Sequence, residues 1–213
     1  MAQLFAPRAD VILRAAIVAA AALVIVIPGA LWAWARGPAA TGQYQVYRQP
    51  IPFAHPLHVN ALKIDCRYCH AGAERTSMAG LPPTKACVPC HWESLVQSAL
   101  FAPVRDSLAT GRPIPWRRVT RVPDFVFFDH SAHARAAVAC QTCHGPVDLM
   151  PEVYQAAPLT MEWCVDCHRE PERHLATIAV GSSGWRRSDI EGGAELAARY
   201  DVRRLTSCTI CHR

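Results

Sequence analysis

Five pentapeptides share one pattern: Cys66-Arg-Tyr-Cys69-His70, Cys87-Val-Pro-Cys90-His91, Cys140-Gln-Thr-Cys143-His144, Cys164-Val-Asp-Cys167-His168 and Cys208-Thr-Ile-Cys211-His212. Cys-x-x-Cys-His is the attachment signature of c-type haem. Two thiols three positions apart can face one porphyrin edge and form thioethers to its vinyl groups. The histidine that follows turns under the iron as proximal ligand. The five copies use all ten cysteines. A disulfide framework would vary the spacing and has no use for a His after every second cysteine. Zinc sites take four ligands, so ten thiols do not fill a whole number of four-Cys sites. A thioredoxin-like dithiol would occur once. The sequence therefore predicts five covalently bound haem c groups.

Iron has a second axial position, and the remaining histidines supply candidates for it. Ten histidines are present, five of them in the motifs; the others are His55, His58, His130, His133 and His174. Four of these carry a repeated pattern, Phe53-x-His55-x-x-His58 and Phe128-x-His130-x-x-His133, each followed by two haem motifs. Two imidazoles on one helical turn diverge, so one caps the nearest haem and the other its neighbour. These four are expected to be distal ligands. The fifth distal position has three candidates. His174 lies in a charged loop and reads as a surface residue. Met78 and Met161 each fall between the two motifs of a half, where a Met also serves as an apolar gap filler. A His/Met haem has a raised potential beside bis-His neighbours.

Elements must hold these groups in place. Residues 1–36 form a predicted anchor: Ala15 to Trp34 carries no charge and is built largely of Ala, Val, Ile and Leu, long enough to span a bilayer as a helix. Arg14 suits one headgroup region, and Trp32 and Trp34 the other. A cleaved secretory signal is the rival reading, with Ala33-Trp34-Ala35 as its cleavage site, but the apolar run is long for one. Arg8 and Arg14 place the N-terminal side in the cytoplasm. Bacterial c-type haem is attached outside the cytoplasm, so the rest of the chain is expected in the periplasm, beside the bacterial inner membrane.

Residues 37–110 read as a first haem module with a trailing helix, broken or kinked at Pro103. Residues 111–127 read as a connector, extended because Pro113 and Pro115 forbid helix. Residues 128–213 read as a second haem module holding haems three to five. Within it, Gly181 to Gly184 and Gly192-Gly193 are expected turns, and Glu195 to Arg203 a short helix. Asp124, Asp129 and Asp148 read as turn or capping residues. Periodic apolar pattern is scarce. The expected fold class is mostly irregular and α, with the haems as core, the polypeptide wrapped around them, and one N-terminal transmembrane helix. Such a chain should fail to fold without its cofactors. Basic residues are almost all Arg, Lys63 and Lys85 being the exceptions. Arg binds carboxylates in bidentate fashion, so several are expected on haem propionates, which would more than cancel the formal charge of +5. Nothing in the chain points to nucleic acid.

Several stretches together resemble the pentahaem cytochrome c subunit of bacterial alternative complex III. They are Phe53-x-His-x-x-His58, Cys66-x-Tyr-Cys-His70, Gly111-x-Pro-Ile-Pro-Trp116, Phe128-x-His-x-x-His-Ala134, Val138-Ala-Cys-Gln-Thr-Cys-His-Gly-Pro146 and Leu159-Thr-Met-Glu-Trp-Cys-Val-Asp-Cys-His-Arg169. Each half is also similar to small trihaem cytochromes of class III type, in which the His-x-x-His pair serves two haems. The resemblance covers roughly 47–173 and the last motif. It departs at Met78, where that family has His, and the stretch from Leu175 to Ser207 is longer. The resemblance implies a membrane complex that oxidises quinol. Its other members would be an iron–sulfur subunit of molybdopterin-enzyme-like fold and polytopic quinol-binding subunits. A monohaem cytochrome c or an oxidase would accept the electrons. This chain would be its electron-transfer subunit and not itself an enzyme. Two rivals differ in class: a free-standing single-helix multihaem quinol dehydrogenase, and a multihaem reductase of a small nitrogen or sulfur compound, for which no open iron or catalytic triad is evident.

Overall fold

In the computed structural model, residues 6, 8–175 and 192–212 are described. The chain divides into two compact units, Met1–Gly42 and Gln43–Arg213. The first holds α1 (Ala9–Arg36), 28 residues with none buried, and the single turn α2 (Pro38–Thr41). Helix α1 is long and apolar enough to cross a membrane. Asp10 pairs with Arg14 one turn on, at 2.9 Å. At its other end the Arg36 guanidinium lies 4.2 Å over the Trp32 ring. Pro28 sits inside the helix, as lipid-facing helices tolerate.

The second unit is a succession of short turns. A π-helical turn covers Pro56–Ala61, followed by α3 (Cys66–Cys69), a 3-10 turn (Thr84–Cys87), α4 (Val88–Gln97), and α5 (Ala102–Thr110). After the connector come α6 (His130–Arg135), α7 (Cys140–His144), α8 (Met161–Arg169), α9 (Gly193–Arg199) and α10 (Cys208–Cys211). Two isolated bridges, Val46 with Tyr154 and Val126 with His212, are the only extended pairings among the described residues. No β-sheet forms there, and the fold is mostly helical and irregular, as the sequence indicates.

Buried apolar side chains are few: among the described residues they are seven Val, Leu, Ile or Met and three alanines. Among the described residues, one buried cluster forms, Leu95, Val104 and Ile114, with Ile51, Cys87, Val88, Phe101 and Trp116 against it. It fastens α4 and α5 to the connector, which runs without regular structure from Gly111 to Pro123.

Two element expectations need correction. The helix after the second motif breaks at Ser98, whose backbone is extended, and not at Pro103. Pro103 falls in the first turn of α5, where its missing N–H has no intrahelical partner to lose. The late helix runs Gly193–Arg199 and stops short of Arg203, because Asp201 takes a left-handed backbone (φ 47°). The expected turn at Gly181–Gly184 lies outside the described residues. Asp129 does cap α6, accepting from the backbone N–H of Ser131 and Ala132, and Asp148 is buried in a 3-10 turn.

Candidate haem-binding sites

Every motif places its two cysteines across one helical turn. In the first and last, the turn is closed by the histidine itself: the N–H of His70 donates to the Cys66 carbonyl and that of His212 to the Cys208 carbonyl, both at 2.9 Å. Positions three apart on a turn share a face, so both thiols look one way. Local chemistry sets the first turn. Asp65 accepts from the Arg67 backbone N–H at 2.8 Å as N-cap, and its carboxylate holds the Arg67 guanidinium, which also reaches Glu74 at 2.7 Å. The hydrogen bond from Arg67 keeps Asp65 below the ordinary carboxylate range.

The two His-x-x-His segments are built alike. Phe53 stacks on His58 (centroids 4.3 Å, 23° between planes) and meets His55 edge-on at 4.8 Å. Phe128 stacks on His133 (4.6 Å, 28°) and meets His130 edge-on at 4.7 Å. One aromatic thus braces both imidazoles of a pair. The segments differ in winding: His130 and His133 lie on an α-turn, whereas Pro56–Ala61 is π-helical, with the Leu62 N–H reaching back five residues to Leu57. Eight positions separate His58 from Cys66 but seven separate His133 from Cys140, and the wider winding absorbs the extra residue.

Each pair faces motif histidines. The rings of His58 and His91 are 6.0 Å apart, His130 and His144 6.3 Å, and His133 and His168 6.0 Å. His55 lies near enough to His70 for their charged forms to oppose each other. Burial first, then His70 and His58, lowers the His55 pKa to about 4. Burial first, then His130 and His70, takes His144 to about 4, and burial lowers His133. These rings are neutral at pH 7, the state that binds a metal.

The ring nitrogens are already divided between roles. Nδ1–H donates to a backbone carbonyl in His58 (Ala54, 2.9 Å), His70 (Gly80, 2.7 Å), His130 (Ser77, 2.9 Å), His133 (Asp129, 2.8 Å), His168 (Leu205, 2.9 Å) and His212 (Phe125, 3.3 Å). With Nδ1 as donor, the lone pair is on Nε2, and the ring orientation is fixed. An imidazole bound through Nε2 at about 2 Å has its centre about 3 Å from the metal, so rings on opposite sides of one iron stand about 6 Å apart. The three observed separations fit an iron between each pair. Paired cysteines on one turn, an imidazole after them and a second imidazole across from it are the donor set that would suit a covalently bound, bis-histidine haem.

Residues 126–213 match a family of proteins described as cytochrome c7 and related cytochrome c. The chain is a multihaem c-type cytochrome. It is related to the "Menaquinone reductase, multiheme cytochrome c subunit" of Nitratidesulfovibrio vulgaris (strain Hildenborough), with 38% identity over 104 residues, 47% of this chain and 48% of that protein. The cytochrome therefore aligns with about half the length of this relative.

The remaining candidates sit apart from the facing pairs. His212 of the fifth motif stacks on Phe125 (5.9 Å, 28°) and not on an imidazole. Met78 is exposed, in the loop whose Ser77 carbonyl holds His130. Met161 is exposed in the first turn of α8, under the Thr160 cap. His174 is half-buried at the end of a 3-10 turn, less exposed than a surface residue would be. The Nδ1 carbonyl partners were not legible in the sequence: they are backbone atoms, and any residue type can supply them.

Proposed function

We propose that this cytochrome is the membrane-anchored electron-transfer subunit of a quinone-linked respiratory complex, of the alternative complex III kind that its motifs resemble. The facing imidazole pairs carry this reading. When bound, the haems would supply one-electron exchange at iron, and the residues described here do the rest. Cys66, Cys69, Cys87, Cys90, Cys140, Cys143, Cys164, Cys167, Cys208 and Cys211 attach five groups. His70, His91, His144, His168 and His212 would be their proximal ligands. His55, His58, His130 and His133 would hold the other side of the first four haems, in that motif order, and so would deny them to small substrates. The name of the relative, a menaquinone reductase subunit, supports the quinone link. Helix α1 would hold the haem domain at the periplasmic face of the inner membrane. There it would meet an iron–sulfur subunit, polytopic quinol-binding subunits, and a monohaem cytochrome c or oxidase as acceptor.

For the fifth site the ligand we favour is Met161. It lies three positions before Cys164 on one face of α8, and Cys164 lies within electrostatic reach of Cys211 of the fifth motif. Met78 stands instead at the join of the first and third motifs.

A second reading, a free-standing quinol dehydrogenase, rests on His212 facing Phe125 instead of an imidazole, which would suit an open iron. Purification from its own membranes separates the two. The proposal expects quinol oxidation by the intact complex, with quinol reducing the haems of this subunit, and none by the isolated full-length chain. Quinol oxidation by the isolated chain would overturn it.

A further inference from the structure

Several contacts cross between motifs. Cys69 of the first motif lies within electrostatic reach of Cys87 and Cys90 of the second. The π-turn that carries both His55 and His58 ties the same two motifs, through His70 and His91. Cys66, the other thiol of the first motif, hydrogen-bonds with Cys140 of the third, and His70 lies close to His144. Cys143, the second thiol of the third motif, lies within electrostatic reach of Cys164 and Cys167 of the fourth, and α6 ties those two motifs through His130 and His133. Cys164 lies within electrostatic reach of Cys211 of the fifth, and the Nδ1–H of His168 donates to the Leu205 carbonyl in the irregular segment leading to it.

We infer that the five motifs stand in one unbranched row, ordered second, first, third, fourth, fifth. This rests on the haem assignment above and adds to it the path. The row does not follow chain order: the two halves meet through their first motifs, and the second and fifth motifs are its ends. The first, third and fourth motifs each reach two neighbours; the second is tied to the first through His91 and His58, and the fifth to the fourth through the Leu205 carbonyl.

The join between halves is also fastened by backbone. The Ser77 carbonyl accepts from both the N–H (3.3 Å) and the Nδ1–H (2.9 Å) of His130, and the Thr76 carbonyl accepts from the Ser131 N–H at 3.2 Å. A loop of the first half thus positions the distal ligand of the third motif. Gly72 shapes this loop: a Cβ there would collide with the Met78 carbonyl and stand 2.8 Å from that of Ala79. Gly72 is therefore a positioning residue for an iron in the other half.

The test is the set of iron positions in the haem-loaded full-length protein, from anomalous scattering at the iron edge, each iron assigned by its thioether cysteines. The row predicts nearest neighbours second–first, first–third, third–fourth and fourth–fifth. Five irons with the second beside the third or fourth, or the fifth beside the first, would overturn the order and leave the haem assignment standing. Fewer than five irons would overturn that assignment and the row with it. A Gly72→Ala variant gives an independent readout. The electron paramagnetic resonance (EPR) signal of the iron between His130 and His144 should shift, although the change lies in the other half. An unchanged signal for that iron would remove the join.

Discussion

Phe128 braces two imidazoles at once, and removing its ring should loosen both. It stacks on His133 at 4.6 Å and meets His130 edge-on at 4.7 Å. Aromatic contacts of this geometry are worth about 0.5–1.5 kcal/mol each, so Phe128→Ala should forfeit about 1–3 kcal/mol of ligand positioning. That raises the fraction of time an imidazole stands off its iron by about 5- to 150-fold. Carbon monoxide binds ferrous haem only at an open position, so stopped-flow uptake by the reduced variant reads the fraction directly. Uptake should accelerate at two irons, those facing His144 and His168. Phe128→Leu keeps apolar bulk without the ring and should fall between variant and parent. Phe53→Ala should reproduce the effect at the irons of His70 and His91, because Phe53 repeats the arrangement. Uptake in Phe128→Ala no faster than in the parent would refute the bracing role.

Ring planes give a second prediction. His130 and His144 are within 10° of parallel, whereas His58/His91 and His133/His168 are twisted by 47° and 57°. Near-parallel imidazoles give ferric iron a resolved rhombic EPR spectrum, and twisting moves the low-field line to larger g. One rhombic component should therefore be assignable to the third motif and vanish in His130→Ala. Met161→Ala should open the fifth iron and produce a high-spin ferric signal, while Met78→Ala should not; the reverse result would transfer the role to Met78. Asp65 caps α3 and holds Arg67. Its carboxyl pKa is lowered by the fold, so its contribution is present in full above the ordinary carboxylate range and lost as pH falls through the lowered value. Asp65→Asn keeps a capping oxygen but loses the part-exposed ion pair with Arg67; it should cost about 0.2–1 kcal/mol at neutral pH, a difference that shrinks below about pH 4, measured by denaturant melts across the acid range.

The attachment chemistry was legible in the sequence because it is written in side chains at fixed spacing. Cys-x-x-Cys-His fits one helical turn, and a duplicated Phe-x-His-x-x-His cannot hide. The apolar run of α1 was legible for the same reason. Helix ends were less so. Pro103 reads as a breaker, yet Ser98 does the breaking, because a proline is harmless in a first turn. The π-turn at Pro56–Ala61 announced itself only as one extra residue before Cys66. The order of the motifs in space was not legible at all. It depends on Cys66 meeting Cys140 and on Ser77 holding His130 across 53 positions, and neither long-range contact leaves a local pattern.

The whole account stands on five attached haems, and the intact mass of the mature protein measures that most directly. The account predicts the polypeptide plus five haem masses, retained under denaturing conditions because thioethers hold them. A bare polypeptide, or one carrying fewer than five, would contradict it.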